Sequence, residues 1–122
     1  TVWGDGSAIR DFVYSKDVAK AMIKTVKKNI QKPINIGSGN GISIKRLVNT
    51  ILKCKNIVNK PKIIFDKSKP SGDKKRILDI SRAKKFKINC NTQLIDGLTE
   101  TIDWYIKNRL KFRKRFNYFK ST

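Results

Sequence analysis

The chain has no histidine and a single glutamate, Glu100. The commonest general base near neutral pH is therefore missing, and neither a Ser-His nor a Cys-His nucleophile pair can be assembled from these residues. Paired-carboxylate chemistry fares no better, because Glu100 stands alone among helix-favouring neighbours. The two cysteines, Cys54 and Cys90, have neither a C-x-x-C spacing nor a histidine to join them, and read as ordinary thiols rather than metal ligands. No run of about 18 apolar residues and no charged-then-apolar leader occurs, so neither a membrane span nor a signal peptide is expected, and the default compartment is the cytoplasm. Acidic charge is also scarce, with 9 Asp plus Glu against 29 Lys plus Arg for a net charge of +20.

What is present bounds the chain further. Its 122 residues allow one domain, and 39% hydrophobic content is too apolar for a disordered polycation. It is expected to be a small domain or a piece of a larger one; the loop chemistry of Thr1-Val2-Trp3-Gly4-Asp5-Gly6, starting without Met, favours the latter. The basic excess would ordinarily point to nucleic acid or an anionic surface. Here lysine far outnumbers arginine and Lys, Ile and Asn dominate, the signature of drift in base composition, which spreads charge over solvated faces.

Asp11 to Tyr14 is a short β-favouring run. Ser15 follows as an N-cap candidate with Asp17 in the first turn, where a negative charge suits the helix dipole. Val18, Ala19, Met22, Ile23 and Val26 then share one helical face, and the helix ends near Asn29. Ile34-Asn35-Ile36, bounded by Pro33 and by glycines at 37, 39 and 41, reads as a strand leaving through a turn. Ser43 caps a second helix carrying Ile44, Leu47, Val48, Ile51 and Leu52. Lys62 to Phe65 is a strand candidate, Asp66 to Arg76 a loop, Ile77 to Ile80 extended, and Ser81 to Lys85 one helical turn. A third long helix after Asn91-Thr92 is expected to turn Leu94, Ile95, Leu98, Ile102, Tyr105 and Ile106 inward. The order predicts a mixed α/β fold with short strands and three main helices, too few pieces for a complete doubly wound sheet.

Gly37-Ser38-Gly39-Asn40-Gly41 imitates a dinucleotide fingerprint, but position 42 is Ile where G-x-G-x-x-G requires glycine, and a plain turn is expected. The remaining chemistry is anion binding. Arg10 lies just after the Gly4-Asp5-Gly6 loop, while Lys69, Lys74, Lys75 and Arg76 crowd a segment bent by Pro70 and Gly72. A planar guanidinium contacts two oxygens of a diphosphate at once, so arginines from two separate loops make a sensible clamp, with Trp3 free to stack on a flat ring. The plain alternative is that each cation is a solvated surface charge and Trp3 a core anchor.

The ordered blocks Val2 to Tyr14, Asp17-Val18-Ala19, Ile34 to Gly39 with Ser43-Ile44, Phe65 to Asp73, Arg76 to Arg82, Gly97-Leu98 and Thr101 to Tyr105 resemble the carboxy-terminal half of extended short-chain dehydrogenase/reductases of the NAD-dependent epimerase/dehydratase family. The branch most similar is that of GDP-L-fucose synthase and the NDP-sugar epimerases. The resemblance covers about residues 2 to 108, and implies that 1–108 form a substrate-binding portion and 109–122 a basic aromatic tail. It implies that Arg10 and Arg76 contact the diphosphate of a nucleotide-diphosphate sugar and that Trp3 lies beside the pocket. Lys69 and Asp73 fall in a segment one residue longer than the Arg-x-Gly-Asp of many epimerases. It further implies NAD or NADP in the intact enzyme, bound by a Rossmann domain upstream of Thr1 and not by this segment, a Tyr-x-x-x-Lys set also upstream, and a homodimer. Tyr14 is no substitute for that tyrosine, since position 18 is Val.

Residues 109 to 120 interleave basic and aromatic side chains, a pattern used by single-stranded nucleic-acid binders. The favoured expectation is a helical continuation with Phe112 and Phe116 docked on the domain. A small basic module for nucleic acid or other polyanions is kept as the alternative function.

Overall fold

The computed structural model describes residues 1–54 and 57–110. Two small sheets and four helices make up this part. Strand β1 (Val2–Trp3) pairs in parallel with β4 (Phe65–Asp66), and β2 (Ile9–Asp11) is the middle strand of a second sheet, antiparallel to β3 (Gly41–Ser43) and parallel to β5 (Lys75–Arg76). The helices are α1 (Ser15–Lys27), α2 (Ile44–Lys53), the short α3 (Ser81–Lys85) and α4 (Leu94–Asn108). The mixed α/β class and the helices are those the sequence predicts.

Short-range chemistry explains the helix boundaries. The Ser43 hydroxyl accepts the Arg46 N–H at 3.1 Å, satisfying one of the orphan donors at the start of α2. Beyond α1, Asn29 sits in the left-handed region at φ 50°, which asparagine tolerates better than most residues. Ser15 opens α1 rather than capping it; the Tyr14 carbonyl accepts from Asp17 and Val18 instead.

The strands differ more from expectation. Pairing begins at Ile9 and ends at Asp11, ahead of the predicted Asp11 to Tyr14 run, because β2 lies where β3 and β5 both offer ladder partners. Ile34 to Ile36 forms no ladder among the described residues. Its isoleucines pack on a core of Ala21, Ala83 and Ile88, and the Asn35 side-chain amide reaches the Asp79 carbonyl at 3.0 Å, so side chains hold it in place. Of Lys62 to Phe65 only Phe65 pairs, and the expected loop from 66 to 76 contains both the end of β4 and all of β5.

Two helices are also rotated relative to the predicted faces. Ala21 and Asp17 of α1 are buried, whereas Met22, Ile23 and Val26 are exposed, Val26 by 80%. The small Ala21 lets α1 approach Ala83 and Ile88, while the Asp17 carboxylate accepts the Thr92 N–H at 2.8 Å; together they set which side faces in. Along α4, Leu94, Leu98 and Ile102 are half-buried, but Ile95, Tyr105 and Ile106 are exposed. Gly97 is buried against the Tyr14 ring, and α2 packs on the same helix; among the described residues these contacts, and not the apolar spacing alone, set which residues of α4 are covered. Residues 111–122, most of the basic tail and the expected docking of Phe112 and Phe116, lie outside the described residues.

Asp17 makes the α1 anchor sensitive to acid. The Thr92 backbone N–H holds its carboxyl below the ordinary aspartate value, against the opposing effect of burial. A depressed native pKa stabilises the fold above the unfolded value, near pH 3.9 for aspartate, and that contribution disappears as pH falls through the native value. Urea unfolding between pH 6 and 2 should therefore show a shallower acid loss for Asp17→Asn than for the parent chain. Parallel stability curves would refute this assignment.

Candidate functional site

Every predicted site residue lies on or beside the two small sheets, and the local sequence explains how. The turn after β1 needs left-handed backbone at Gly4 (φ 78°) and Gly6 (φ 76°), conformations that glycine adopts without a Cβ penalty. Between them the Asp5 carboxylate accepts the Ser7 N–H at 2.8 Å and its hydroxyl at 2.6 Å, and the hydroxyl bond is the main cause of its lowered pKa. This turn lies against the segment that follows β4. The Gly4 N–H donates to the Asp66 carbonyl at 2.8 Å, and a Cβ on Gly4 would come within 2.8 Å of the Ser71 Cβ.

Arg10 and Arg76 are register partners across β2 and β5. Neighbouring strands lie about 4.8 Å apart. Both guanidinium groups reach Asp73: Arg10 donates to its carbonyl at 2.8 Å and to the Ile9 carbonyl at 2.7 Å, while Arg76 forms an ion pair with its carboxylate. Gly72, at φ 69°, passes close to Arg10, and a Cβ there would stand 3.4 Å from Nη2. Arg10 is half-buried; Asp73 and Arg76 are exposed.

Trp3 pairs in register with Asp66 and is 65% exposed, so it is not a core anchor. Lys69 ends the turn after β4, its N–H 3.3 Å from the Asp66 carbonyl, and is exposed. Neither makes a hydrogen bond or ion pair with the two arginines among the described residues. The structure thus brings Arg10, Asp73 and Arg76 together and leaves Trp3 and Lys69 along the neighbouring sheet.

The clamp is open. A cleft of about 970 Å³ lies elsewhere, between the 38–42 turn, Arg46, Lys84 and the segment leading into α4, and neither Arg10 nor Arg76 lines it. The glycine-rich turn at this cleft is not a phosphate cradle. Its N–H groups at Ser38 and Gly39 are taken by the Asp11 carboxylate, each at 3.0 Å, so these residues do not fit a dinucleotide. Among the described residues no cluster of three metal-ligating side chains exists, and no helix is long and apolar enough to cross a membrane. Cys54 and Cys90 are free thiols, and burial raises the pKa of Cys90.

One arrangement escaped the sequence reading. Glu100 forms an ion pair with Lys16, whose ammonium stands 5.8 Å from the Tyr14 ring centroid, so the chain's one glutamate fastens the start of α1 to α4. Hydrogen bonding to Glu100 raises the Tyr14 pKa, and Lys16 in turn lowers that of Glu100. Helical spacing within a single element carries no signal for such a contact.

The NAD dependent epimerase/dehydratase family model matches residues 1–37, which include the Gly4-Asp5-Gly6 turn and Arg10. Over most of its length the chain is 32% identical to a probable GDP-L-fucose synthase 1 from Oryza sativa subsp. japonica, covering 93% of this chain and 34% of that protein. It is equally 32% identical to GDP-L-fucose synthase from Escherichia coli K12, covering 92% of this chain and 37% of that one. This chain belongs to the NAD-dependent epimerase/dehydratase family. Among solved structures of the family type, the UDP-glucose 4-epimerase of Thermotoga maritima, crystallised with UDP-glucose, superposes with a TM-score of 0.71 at 30% identity. That superposition covers 88% of this chain and 35% of the epimerase. The chain spans about a third of the length of the epimerase/dehydratase relatives it matches.

Proposed function

We propose that residues 1–108 are the nucleotide-sugar-binding portion of an NAD(P)-dependent sugar-nucleotide epimerase/reductase of the GDP-L-fucose synthase type. In this reading Arg10 and Arg76 hold the two phosphates, Lys69 adds a third positive charge, Trp3 offers a flat apolar face beside the base or sugar, and Asp73 accepts a hydrogen bond from the ligand once Arg76 turns to phosphate. The observation that carries the reading is the register pairing of Arg10 with Arg76, which puts the two arginines at neighbouring positions of one three-stranded sheet.

The chemistry at C4 of the sugar, with hydride exchanged at a nicotinamide, belongs to a dinucleotide-binding domain elsewhere in the intact enzyme. This segment contributes binding and orientation, which convert an encounter into a held geometry. The exposed apolar residues Met22, Ile23 and Val26 on α1 support such a domain as their cover. Cytoplasm is the compartment this reading carries, where the two thiols stay reduced.

Thermal unfolding of the chain with and without GDP-L-fucose or UDP-glucose tests the proposal. Ligand at about 100 times its dissociation constant stabilises a folded chain by about 2.7 kcal/mol, a shift of about 10 °C or more. The reading fails if neither nucleotide sugar raises the midpoint. If DNA instead binds with a steep salt dependence, the polyanion-binding alternative replaces it.

A further inference from the structure

We propose that Asp11 is a positioning residue for Arg10: by locking the Gly37–Gly41 turn onto β2, its carboxylate holds the guanidinium in place to receive a diphosphate. The proposal rests on the diphosphate reading above and assigns Asp11 no contact with ligand.

Arg10 and Asp11 are consecutive in β2, so their side chains leave opposite faces of the sheet. Arg10 reaches toward β5 and Asp73. On the other side, one Asp11 oxygen accepts both the N–H and the hydroxyl of Ser38, and the second accepts the N–H of Gly39. Three donors from a half-buried turn thus converge on one carboxylate. Their effect is mechanical, because the same turn runs directly into Gly41, the register partner of Asp11, and so into β3.

The fit leaves no slack. A Cβ at Gly37 would stand 2.8 Å from the Asp11 Oδ2, and one at Gly41 would stand 2.6 Å from the Ile9 Cγ2 and 2.3 Å from the Ile77 Cδ1. The carboxylate therefore clamps β2 to β3 at the end of a three-residue strand, where few ladder bonds resist tilting. If that clamp opens, β2 tilts against β5, and the Arg10 fork loses its alignment with Arg76.

The full 122-residue chain and its Asp11→Asn, Ser38→Ala and Asp17→Asn variants provide the test. Asp17 is the control: its carboxylate also anchors a backbone N–H, that of Thr92, but it stands on α1 and takes no donor from the Gly37–Gly41 turn. In the ligand-free chain, the Arg10 Nε–H resonance, identified by its loss in Arg10→Lys, should shift or broaden in Asp11→Asn and stay unchanged in Asp17→Asn. Calorimetric titration with GDP should show about a tenfold weaker dissociation constant for Asp11→Asn, about threefold for Ser38→Ala, and less than twofold for Asp17→Asn.

An unchanged Arg10 resonance in Asp11→Asn, or equal loss of GDP affinity in Asp11→Asn and Asp17→Asn, would overturn the proposal. Should Asp11→Asn not fold, Ser38→Ala decides the matter by the same two readings. Failure of the parent chain to bind GDP would instead remove the diphosphate reading, and the resonance comparison would still decide whether Asp11 holds Arg10.

Discussion

Arg10→Ala should weaken binding of a GDP- or UDP-sugar by about ten- to a hundredfold, since hydrogen bonds to a charged partner are worth about 1.5–3 kcal/mol and 1.4 kcal/mol is tenfold in affinity. The stability of the chain should change much less. The Asp73 carbonyl that Arg10 serves is exposed, so water replaces the lost donor there. Arg10→Lys should fall in between, because an ammonium keeps the charge but not the planar fork. Arg76→Ala should cost a comparable factor, because one of the two cations proposed for the diphosphate is lost. Titration calorimetry at fixed ionic strength measures all three. An Arg10→Ala variant that binds within twofold of the parent would eliminate the clamp.

The second large effect is on stability. Gly6→Ala places a Cβ 2.4 Å from the Phe65 Cε1 and 3.2 Å from the Lys45 Cβ, at a φ of 76°. Left-handed backbone costs an alanine about 1–2 kcal/mol, and forcing a methyl into filled space typically adds about 1–3 kcal/mol. Small domains have only about 5–15 kcal/mol in total. The thermal midpoint should fall by about 10 °C or more, at about 4–8 °C per kcal/mol for a domain of this size. Gly72→Ala has a similar φ of 69° but meets only the Arg10 Nη2 at 3.4 Å, so it should lose less. A Gly6→Ala midpoint within a few degrees of the parent would mean that the turn is not pressed against Phe65 as described.

Phe65 also illustrates how the loops become a site. It pairs with Val2 through the backbone and crowds Gly6 through its ring, so the β1–β4 contact and the turn carrying the chain toward Arg10 are set by one residue. No local pattern announces this. Lys62 to Phe65 looks like a strand because it is apolar and β-branched, yet only its last residue joins the ladder, while the Ile64 carbonyl accepts the Val2 N–H at 2.8 Å. Lys75 and Arg76 look like a solvated loop and are nevertheless a strand, because pairing with Ile9 and Arg10 depends on backbone amides and not on side-chain polarity.

The amino-acid sequence by itself determined the helices, whose caps and spacing act within a few residues, and the ordered blocks that mark the epimerase/dehydratase family. It also ruled out histidine chemistry through composition alone. Tertiary structure decided which side of α1 and α4 is covered, that Trp3 is exposed, and that Arg10 and Asp73, 63 positions apart, meet beside Arg76. The physical reason is range. Helical hydrogen bonds close over four residues and leave a periodic trace, whereas ladder pairing and the choice of a buried face depend on partners distant in the chain.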